Sequence, residues 1–380
     1  MNKNGKLLVI AGEVSGDLMG AGLISELKRR IPELEIYGIG GDKMTSAGMN
    51  IIYHINDLAF LGFAEVVKHL PFIRKVQKKI LRFTESENIS LAVLIDYPGF
   101  NLSIASKLHK SGVKIVYYVS PQLWAWGEGR IKKIKKFIDK MLVVFPFEEK
   151  LYKDNNIDVT FVGHPLPGRI KDYSFIDKRQ FFEKFNIPEE KRILLILPGS
   201  REHEVEHILP VSINAAALIA DEFNMQIIVA GSPNIDEKLY FKLSGHKNFR
   251  VVYNHNFELM KYADLGIIKS GTSTLEAGLI GLPMVIVYRT STLTYLIGKS
   301  LVKLNNIGMV NIVLGKLAVP ELIQAQLTVV NLYNKCREIL SDEILKNNIK
   351  NDLRNLKEKL QGDNASGKAA DIIAEMIYAF

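Results

Sequence analysis

Short runs of apolar and β-branched residues alternate with stretches of helical periodicity from one end of the chain to the other. Apolar runs at 7–11, 35–39, 91–95, 114–119, 141–145 and 159–162 read as strands, and 18–30, 72–87 and 102–110 as helices between them. Alternation of this kind predicts parallel sheets covered by helices. After Gly163-His164-Pro165-Leu166-Pro167-Gly168 the pattern restarts, through a polar linker and a helix at 177–185. A second set of strands follows at 193–197, 226–230, 250–253, 265–269 and 284–288. Beyond 328 the periodicity is helical, broken at Gly362-Asp363-Asn364 before a last amphipathic stretch at 368–378. The reading is α/β: a doubly wound domain over 1–168, a second over 169–328, and a helical tail over 329–380. Two such sheets in tandem would turn the carboxyl ends of their strands, where such folds bind ligands, toward one cleft.

Length agrees, since 380 residues are enough for two to three domains with large cores. With 47% hydrophobic and 24% charged residues the chain has the composition of a folded globular protein, and long disordered regions are not expected. Cys336 is the single cysteine, which excludes an intramolecular disulfide or a cysteine-based zinc site and fits a reducing compartment. No signal peptide is visible, and the longest uncharged apolar stretch, 277–288, is about half the ~20 residues of a membrane span. The cytoplasm is the expected location. The net charge is +8, and residues 1–165 hold 23 basic against 17 acidic side chains, so +6 of it lies there. That asymmetry favours an anionic partner for the first half, with an ordinary solvated basic face as the alternative.

Several segments carry candidate chemistry. Ala11 to Gly22 follows the first strand and opens a helix, the place for an anion-binding glycine loop, but its glycines do not match G-x-G-x-x-G and nicotinamide cofactors are not expected. Glu13, Ser15 and Asp17 there are helix caps or cleft-facing groups. Asp96 ends an apolar strand just before Tyr97-Pro98-Gly99; partial exclusion of water would raise its pKa and suit it to take a proton from a hydroxyl. The alternative is a cap for the following helix. Pro198-Gly199-Ser200-Arg201 offers backbone N–H groups beside a guanidinium, a phosphate site that needs no metal. His203-Glu204-Val205-Glu206-His207 satisfies H-E-x-x-H, the pattern of a zinc peptidase. Against that reading stand the charged Glu206, the absence of an evident third ligand, and Pro210; no metal is expected. Ser270-Gly271-Thr272-Ser273-Thr274-Leu275-Glu276 is a glycine- and hydroxyl-rich turn that permits close backbone approach to a ligand, with Glu276 able to accept hydrogen bonds from a sugar.

Two basic amphipathic stretches, 56–83 and 129–140, stand out in the first half. Phe60, Phe63 and Val67 adjoin Lys68, Arg74 and Lys75, a pattern that suits an anionic bilayer surface, against the plainer reading of core-packed helices. Trp124 and Trp126 fit core and interface equally. Nucleic acid would call for aromatics interleaved on a strand surface, which are not seen.

Taken together, the segments AGEVSGDLMGAGLI, LGFAEVVKHLP, IDYPGFN, YYVSPQLWAWGEGRIKKIKK, FVGHPL, LPGSREHEV, SGTSTLEAGLIGLPMVIVYR, NIVLGKLAVPELIQ and ASGKAA resemble the lipid-A-disaccharide synthases over nearly the whole chain. The resemblance implies a bacterial GT-B glycosyltransferase: two Rossmann-like domains facing a cleft. It implies inverting, cofactor-free transfer of 2,3-diacylglucosamine from UDP to 2,3-diacylglucosamine 1-phosphate, at the inner face of the cytoplasmic membrane of a Gram-negative bacterium. By matching positions, Asp96 is the general base. Arg201, with the turn Gly199-Ser200, takes the UDP phosphates and Glu276 the ribose, and Ser270, Gly271 and Thr272 belong to the same UDP-sugar donor side. Asn311, Glu321 and Gln324 match donor-side positions; Glu13, Ser15 and Gly16 match the acceptor side. Gly99 stands where some members carry a second acid, and Met309-Val310 where Leu-Pro is common. Competing readings are another UDP-sugar transferase or an epimerase of the same fold, and a non-catalytic nucleotide-sugar binding protein at the membrane surface. The helical tail could fold against its own chain or against a partner in a homodimer.

Overall fold

The computed structural model describes residues 5–57, 70–121, 123, 129–245, 247–290, 306–360 and 364–379. The chain divides into two compact units, 1–168 with 360–380, and 169–359. Each is built on a parallel sheet whose central strands are buried on both faces, which is why those strands read as near-continuous apolar runs.

In the first unit, β1 (Lys6–Ala11), β2 (Glu35–Gly40), β3 (Met49–His54), β4 (Leu91–Ile95), β5 (Lys114–Tyr118), β6 (Lys140–Val143) and β7 (Val159–Phe161) lie in the order β3-β2-β1-β4-β5-β6-β7. Every pairing is parallel. The order reverses between β1 and β4, where Ala11 pairs with Ile95, so the loops leaving these strands open beside each other at the topological switch point. Helices α1 (Val14–Arg30), α2 (Asp42–Ser46), α3 (Leu70–Ser86), α4 (Pro98–Lys110), α5 (Arg130–Phe137) and α6 (Pro146–Lys153) connect the strands. The core joins Leu8, Ile10 and Leu94 of the sheet to Val76 and Ile80 of α3, Ile104 and Leu108 of α4, and Ile134 of α5.

The second unit repeats the scheme with β8 (Arg192–Leu197), β9 (Met225–Gly231), β10 (Arg250–Tyr253), β11 (Leu265–Lys269), β12 (Met284–Tyr288) and β13 (Glu321–Ile323), in the order β10-β9-β8-β11-β12-β13. These pairings are parallel too, and the order reverses between β8 and β11. The chain passes into it through α7 (Pro165–Lys171) and α8 (Lys178–Lys184); α9 (Glu202–Phe223), α10 (Glu237–Ser244), α11 (Asn256–Tyr262), α12 (Thr272–Ile280) and α13 (Met309–Leu314) follow. The residues from 329 on do not form a body of their own. Helices α14 (Val329–Ser341) and α15 (Glu343–Leu360) run with the second unit until Lys359, and α16 (Ala365–Tyr378) belongs to the first. There α16 packs on α1: Arg30 pairs with Asp371 at 2.6 Å and donates to the Gly367 carbonyl at 3.1 Å.

The sequence pattern missed two strands, β3 and the three-residue β13. Pro210, which counted against the H-E-x-x-H reading, lies inside α9, and the helix runs through it to Phe223. No helix among the described residues is long and apolar enough to cross a membrane.

Candidate functional site

Each switch point carries one of the sequence-derived site groups. In the first unit β4 ends at Ile95, and Asp96 and Tyr97 both take the left-handed conformation, each with φ near 46°. Non-glycine residues there cost roughly 1–3 kcal/mol each and persist only where the surroundings fix them. Here the fixing is explicit. The Asp96 N–H donates to the Tyr118 carbonyl at 3.1 Å, and its carbonyl accepts from Asn101 Nδ2 at 2.8 Å and from the Tyr117 hydroxyl at 2.5 Å. Asn101, the residue that Asp96 might have capped, is fully buried and holds the turn from the other side.

Burial raises the Asp96 carboxyl to about 6, Glu13 across the β1 loop adds to the rise, and the Tyr97 N–H opposes it. The same burial, with Glu13, lifts the Tyr97 phenol to about 12. The β1 loop itself is shaped by this ring: a Cβ on Gly12 would lie 2.1 Å from Tyr97 Cδ1. Only glycine lets the backbone pass so close. Of the other residues in that loop, Glu13 and Ser15 are exposed and Gly16 is buried against Ala11. Asp17 is buried and is a cap, but of α2 rather than of its own helix, accepting from the N–H groups of Gly41, Lys43 and Met44 at 2.7, 3.2 and 3.1 Å.

In the second unit a cavity of about 420 Å³ opens over the β8 and β11 ends, lined by Gly199, Ser200, Arg201, Lys269, Gly271 and Thr272, among others. Gly199 has φ +130°, and its missing side chain admits the Glu204 carboxylate, which a Cβ would meet at 2.5 Å. The structure corrects the expectation of free amides in this turn. The N–H groups of Ser200 and Arg201 already donate to Glu204 Oε2, at 3.0 and 3.4 Å. Glu204 is held in turn by Lys269, whose Nζ lies 2.7 Å from Oε1. Although burial opposes it, this pairing keeps the Glu204 carboxyl below the usual range. What faces an anionic ligand is the Arg201 guanidinium, 72% exposed though it lies 3.6 Å from Glu204 Oε1, and the N-terminus of α12 at Gly271 and Thr272. Ser270 turns away, donating to the Ile307 carbonyl at 2.9 Å.

Glu204 and Lys269, which line this cavity, are the site residues that the sequence reading missed, because Glu204 was absorbed into H-E-x-x-H. His203, Glu206 and His207 are exposed on α9, and His207 Nδ1 meets the His203 carbonyl at 2.6 Å. Among the described residues no group of three or more His, Cys, Asp or Glu could hold a metal ion.

Glu276 does not line the cavity. It lies one turn along α12 with its carboxylate 3.3 Å from Arg169, and burial raises its pKa against that guanidinium. Asn311 is fully buried with every hydrogen-bonding place taken: Oδ1 accepts from Ala318 and Val319 N–H, and Nδ2 donates to the Val319 carbonyl and Glu321 Oε1. Glu321 also accepts from Ile307 and Gly308 N–H, at 2.8 and 3.0 Å. These two side chains brace backbone, and Asn311 has nothing left for a ligand. Gln324 exchanges hydrogen bonds with both backbone groups of Thr290, each at 3.2 Å.

Of the residues expected at a membrane surface, Phe60, Phe63, Val67 and Lys68 lie outside the described residues, as do Trp124 and Trp126. Arg74 and Lys75 are exposed on α3, whose apolar face, Val76 and Ile80 with Phe72 and Ile73 beside them, is spent on the core.

A family model described as lipid-A-disaccharide synthetase matches residues 7–376. The lipid-A-disaccharide synthase of Solibacter usitatus strain Ellin6076 is 36% identical over 373 residues, covering 98% of this chain and 97% of that protein. Among solved structures, the UDP-GlcNAc 2-epimerase of Neisseria meningitidis bound to UDP-GlcNAc has a TM-score of 0.64 at 12% identity, covering 99% of this chain and all of that one. The kitacinnamycin glycotransferase has the same TM-score at 14% identity, covering 97% of this chain and 98% of the other. These two likenesses are of fold: paired Rossmann-like sheets in the GT-B architecture.

Proposed function

Since the chain belongs to the lipid-A-disaccharide synthase family, and is by that membership a UDP-sugar-dependent glycosyltransferase of lipid A biosynthesis, we propose the following reaction. It condenses UDP-2,3-diacylglucosamine with 2,3-diacylglucosamine 1-phosphate into the β(1→6) disaccharide 1-phosphate and UDP. The acceptor's 6-hydroxyl oxygen bonds to the donor's anomeric carbon as the bond from that carbon to the UDP phosphate oxygen breaks on the opposite face, inverting the centre. The hydroxyl proton passes to Asp96, and the bonding electrons leave with UDP. Arg201 and the N-terminus of α12 offset the charge that develops on the leaving phosphate. Glu276 takes the donor's ribose, sharing its carboxylate with Arg169, while Asn311 and Glu321 position the backbone beside the donor.

The observation that carries this reading is Asp96 itself: its backbone N–H and carbonyl are held at a strand end by three hydrogen bonds, and burial raises its carboxyl to about 6. A base of that pKa is mostly ionised at pH 7 yet more basic than an ordinary carboxylate, which suits it to general-base work. Both substrates carry acyl chains, so the enzyme works from the inner face of the cytoplasmic membrane as a peripheral protein.

The test is turnover of the two substrates in mixed micelles with EDTA, following UDP and disaccharide by mass spectrometry. Asp96→Asn is expected to lower kcat by about 10²- to 10⁴-fold while UDP affinity holds. UDP released without disaccharide by the unaltered chain would mean a different acceptor. Unchanged turnover in Asp96→Asn would remove the base.

A further inference from the structure

Tyr97 stands at a position whose local chemistry calls for another residue. It is the N-cap of α4, directly before Pro98. Helices favour Ser, Thr, Asp or Asn there, in extended backbone, so that a short side chain can accept from the N–H groups of the first turn. The residue before a proline is steered toward extended backbone as well. Tyr97 instead has φ 46° and ψ 57°, and its side chain caps nothing. The helix gains nothing from this strain. Packing accounts for the ring but not for the hydroxyl. The ring lies over the Gly12 backbone, where a Cβ would meet Cδ1, Cγ and Cε1 at 2.1, 2.4 and 2.5 Å. It also stacks on Phe100, with centroids 5.9 Å apart and planes 26° apart. Every atom in these contacts belongs to the ring, so a phenylalanine would serve them equally well.

Among the described residues nothing exchanges a hydrogen bond with the Tyr97 hydroxyl, whereas a tyrosine whose body is packed usually finds a partner for its polar tip. Tyr117, on the neighbouring strand, shows the ordinary case, its hydroxyl holding the Asp96 carbonyl. Tyr97 and Asp96 are both half-buried, and Glu13, Val14 and Ser15 beyond the end of β1 are exposed, so the turn is open to a ligand. Glu13 acts on the Asp96 carboxyl and on the Tyr97 phenol alike, which gathers the three groups at the switch point. With its pKa lifted to about 12, the phenol keeps its proton and is a hydrogen-bond donor wherever Asp96 is ionised. A strained residue of this kind, fixed beside a reacting group, points to function.

The acceptor of the proposed reaction presents this turn with a choice. Acyl groups block the sugar's nitrogen and its 3-oxygen, and the phosphate blocks carbon 1, so two sugar hydroxyls are open, at carbons 4 and 6. One carboxylate cannot tell them apart. We propose that Tyr97 makes the choice: its hydroxyl donates a hydrogen bond to the 4-oxygen of the acceptor and leaves the 6-hydroxyl to Asp96. The inference rests on the proposed reaction for the identity of the acceptor. A second contact beside the base adds no charge; it fixes the orientation in which the reacting hydroxyl meets the carboxylate.

The experiment is Tyr97→Phe, which keeps the ring over Gly12 and removes only the hydroxyl. At saturating donor, kcat/KM for the acceptor is expected to fall about tenfold, with the affinity for UDP and the melting temperature unchanged. With a 4-deoxy acceptor the two chains should turn over equally, as a double-mutant cycle requires of groups that touch. An undiminished kcat/KM in Tyr97→Phe overturns the proposal, and so does a loss that persists in full with the 4-deoxy acceptor. A lowered melting temperature would place the hydroxyl in the fold, and a shifted acid limb of the pH profile would place it on Asp96 rather than on the sugar; either result overturns the proposal too. If the unaltered chain turns over neither substrate, calorimetric titration of 2,3-diacylglucosamine 1-phosphate and its 4-deoxy analogue in neutral detergent micelles separates the two readings. Binding that is weaker in Tyr97→Phe, with the difference lost for the 4-deoxy analogue, upholds the contact although the reaction has failed; equal binding, or none, removes it.

Discussion

The Asp96 carboxyl prefers its neutral form up to about pH 6, because burial disfavours the charge and Glu13 stands close by. Its pKa in the fold lies above its ordinary 3.8, so the folded chain holds this proton more tightly than the unfolded one. Its contribution to stability is therefore fully present below about pH 4, is lost as pH rises to 6, and stays lost above. Asp96→Asn, neutral at every pH, is expected to raise thermal stability at pH 7.5 by up to about 3 kcal/mol, with little gain at pH 4; melting curves at the two values decide it. Activity has the opposite slope, since only the ionised carboxylate accepts a proton: kcat/KM should fall below about pH 6. In Glu13→Gln, where the neighbouring charge is gone, that acid limb should move to lower pH. Gly12 is a second residue whose role is set by a single contact. Gly12→Ala forces the Tyr97 ring aside and should cost about 1–3 kcal/mol of stability and most of the turnover, read by melting and by the disaccharide assay.

At the level of elements, the turn between β8 and α9 is an anion site built with its own anion inside. Glu204 fills the amides of Ser200 and Arg201 and is anchored on β11 through Lys269. Glu204→Gln should therefore loosen the turn, lower stability by about 2–3 kcal/mol, and weaken UDP binding as a consequence. Arg201→Ala removes an exposed guanidinium and should weaken UDP binding with an unchanged melting point; calorimetric titration of UDP beside melting curves separates the two. The contrast explains what could be read from sequence. Asp96 and Gly199-Ser200-Arg201 were legible because each directly follows a run of apolar residues, so the strand end and the site announce each other locally. The partners were not. Lys269 lies 65 positions from Glu204, and Arg169 lies 107 positions from Glu276. Asn311 matched a donor-side position by resemblance, yet its four partners belong to the backbone and to Glu321. The strands show the same division: β8 and β4 are continuous apolar runs, whereas β3 is half-buried along most of its length and β13 spans three residues, too few for any periodicity.

On the scale of the whole molecule, the chain crosses from one unit to the other twice, at 168–169 and again at 359–360. The first unit thus consists of two pieces far apart in sequence, and α16 supplies the second. Its buried face, Ala365, Ala369, Ala370, Ile373, Ala374 and Ile377, covers α1, the helix that follows the Gly12-Glu13 loop. Deleting 364–380 should strip that cover and speed amide hydrogen exchange in α1 and β1 well before it touches β8 or β9, a difference that exchange mass spectrometry reads directly. The arrangement also bears on synthesis. A ribosome that has released residues 1–168 has made every strand of the first sheet, yet the helix that seals α1 comes only some two hundred residues later. The half of the enzyme translated first is therefore the half completed last, and in the interval its exposed α1 face is a target for chaperones and proteases.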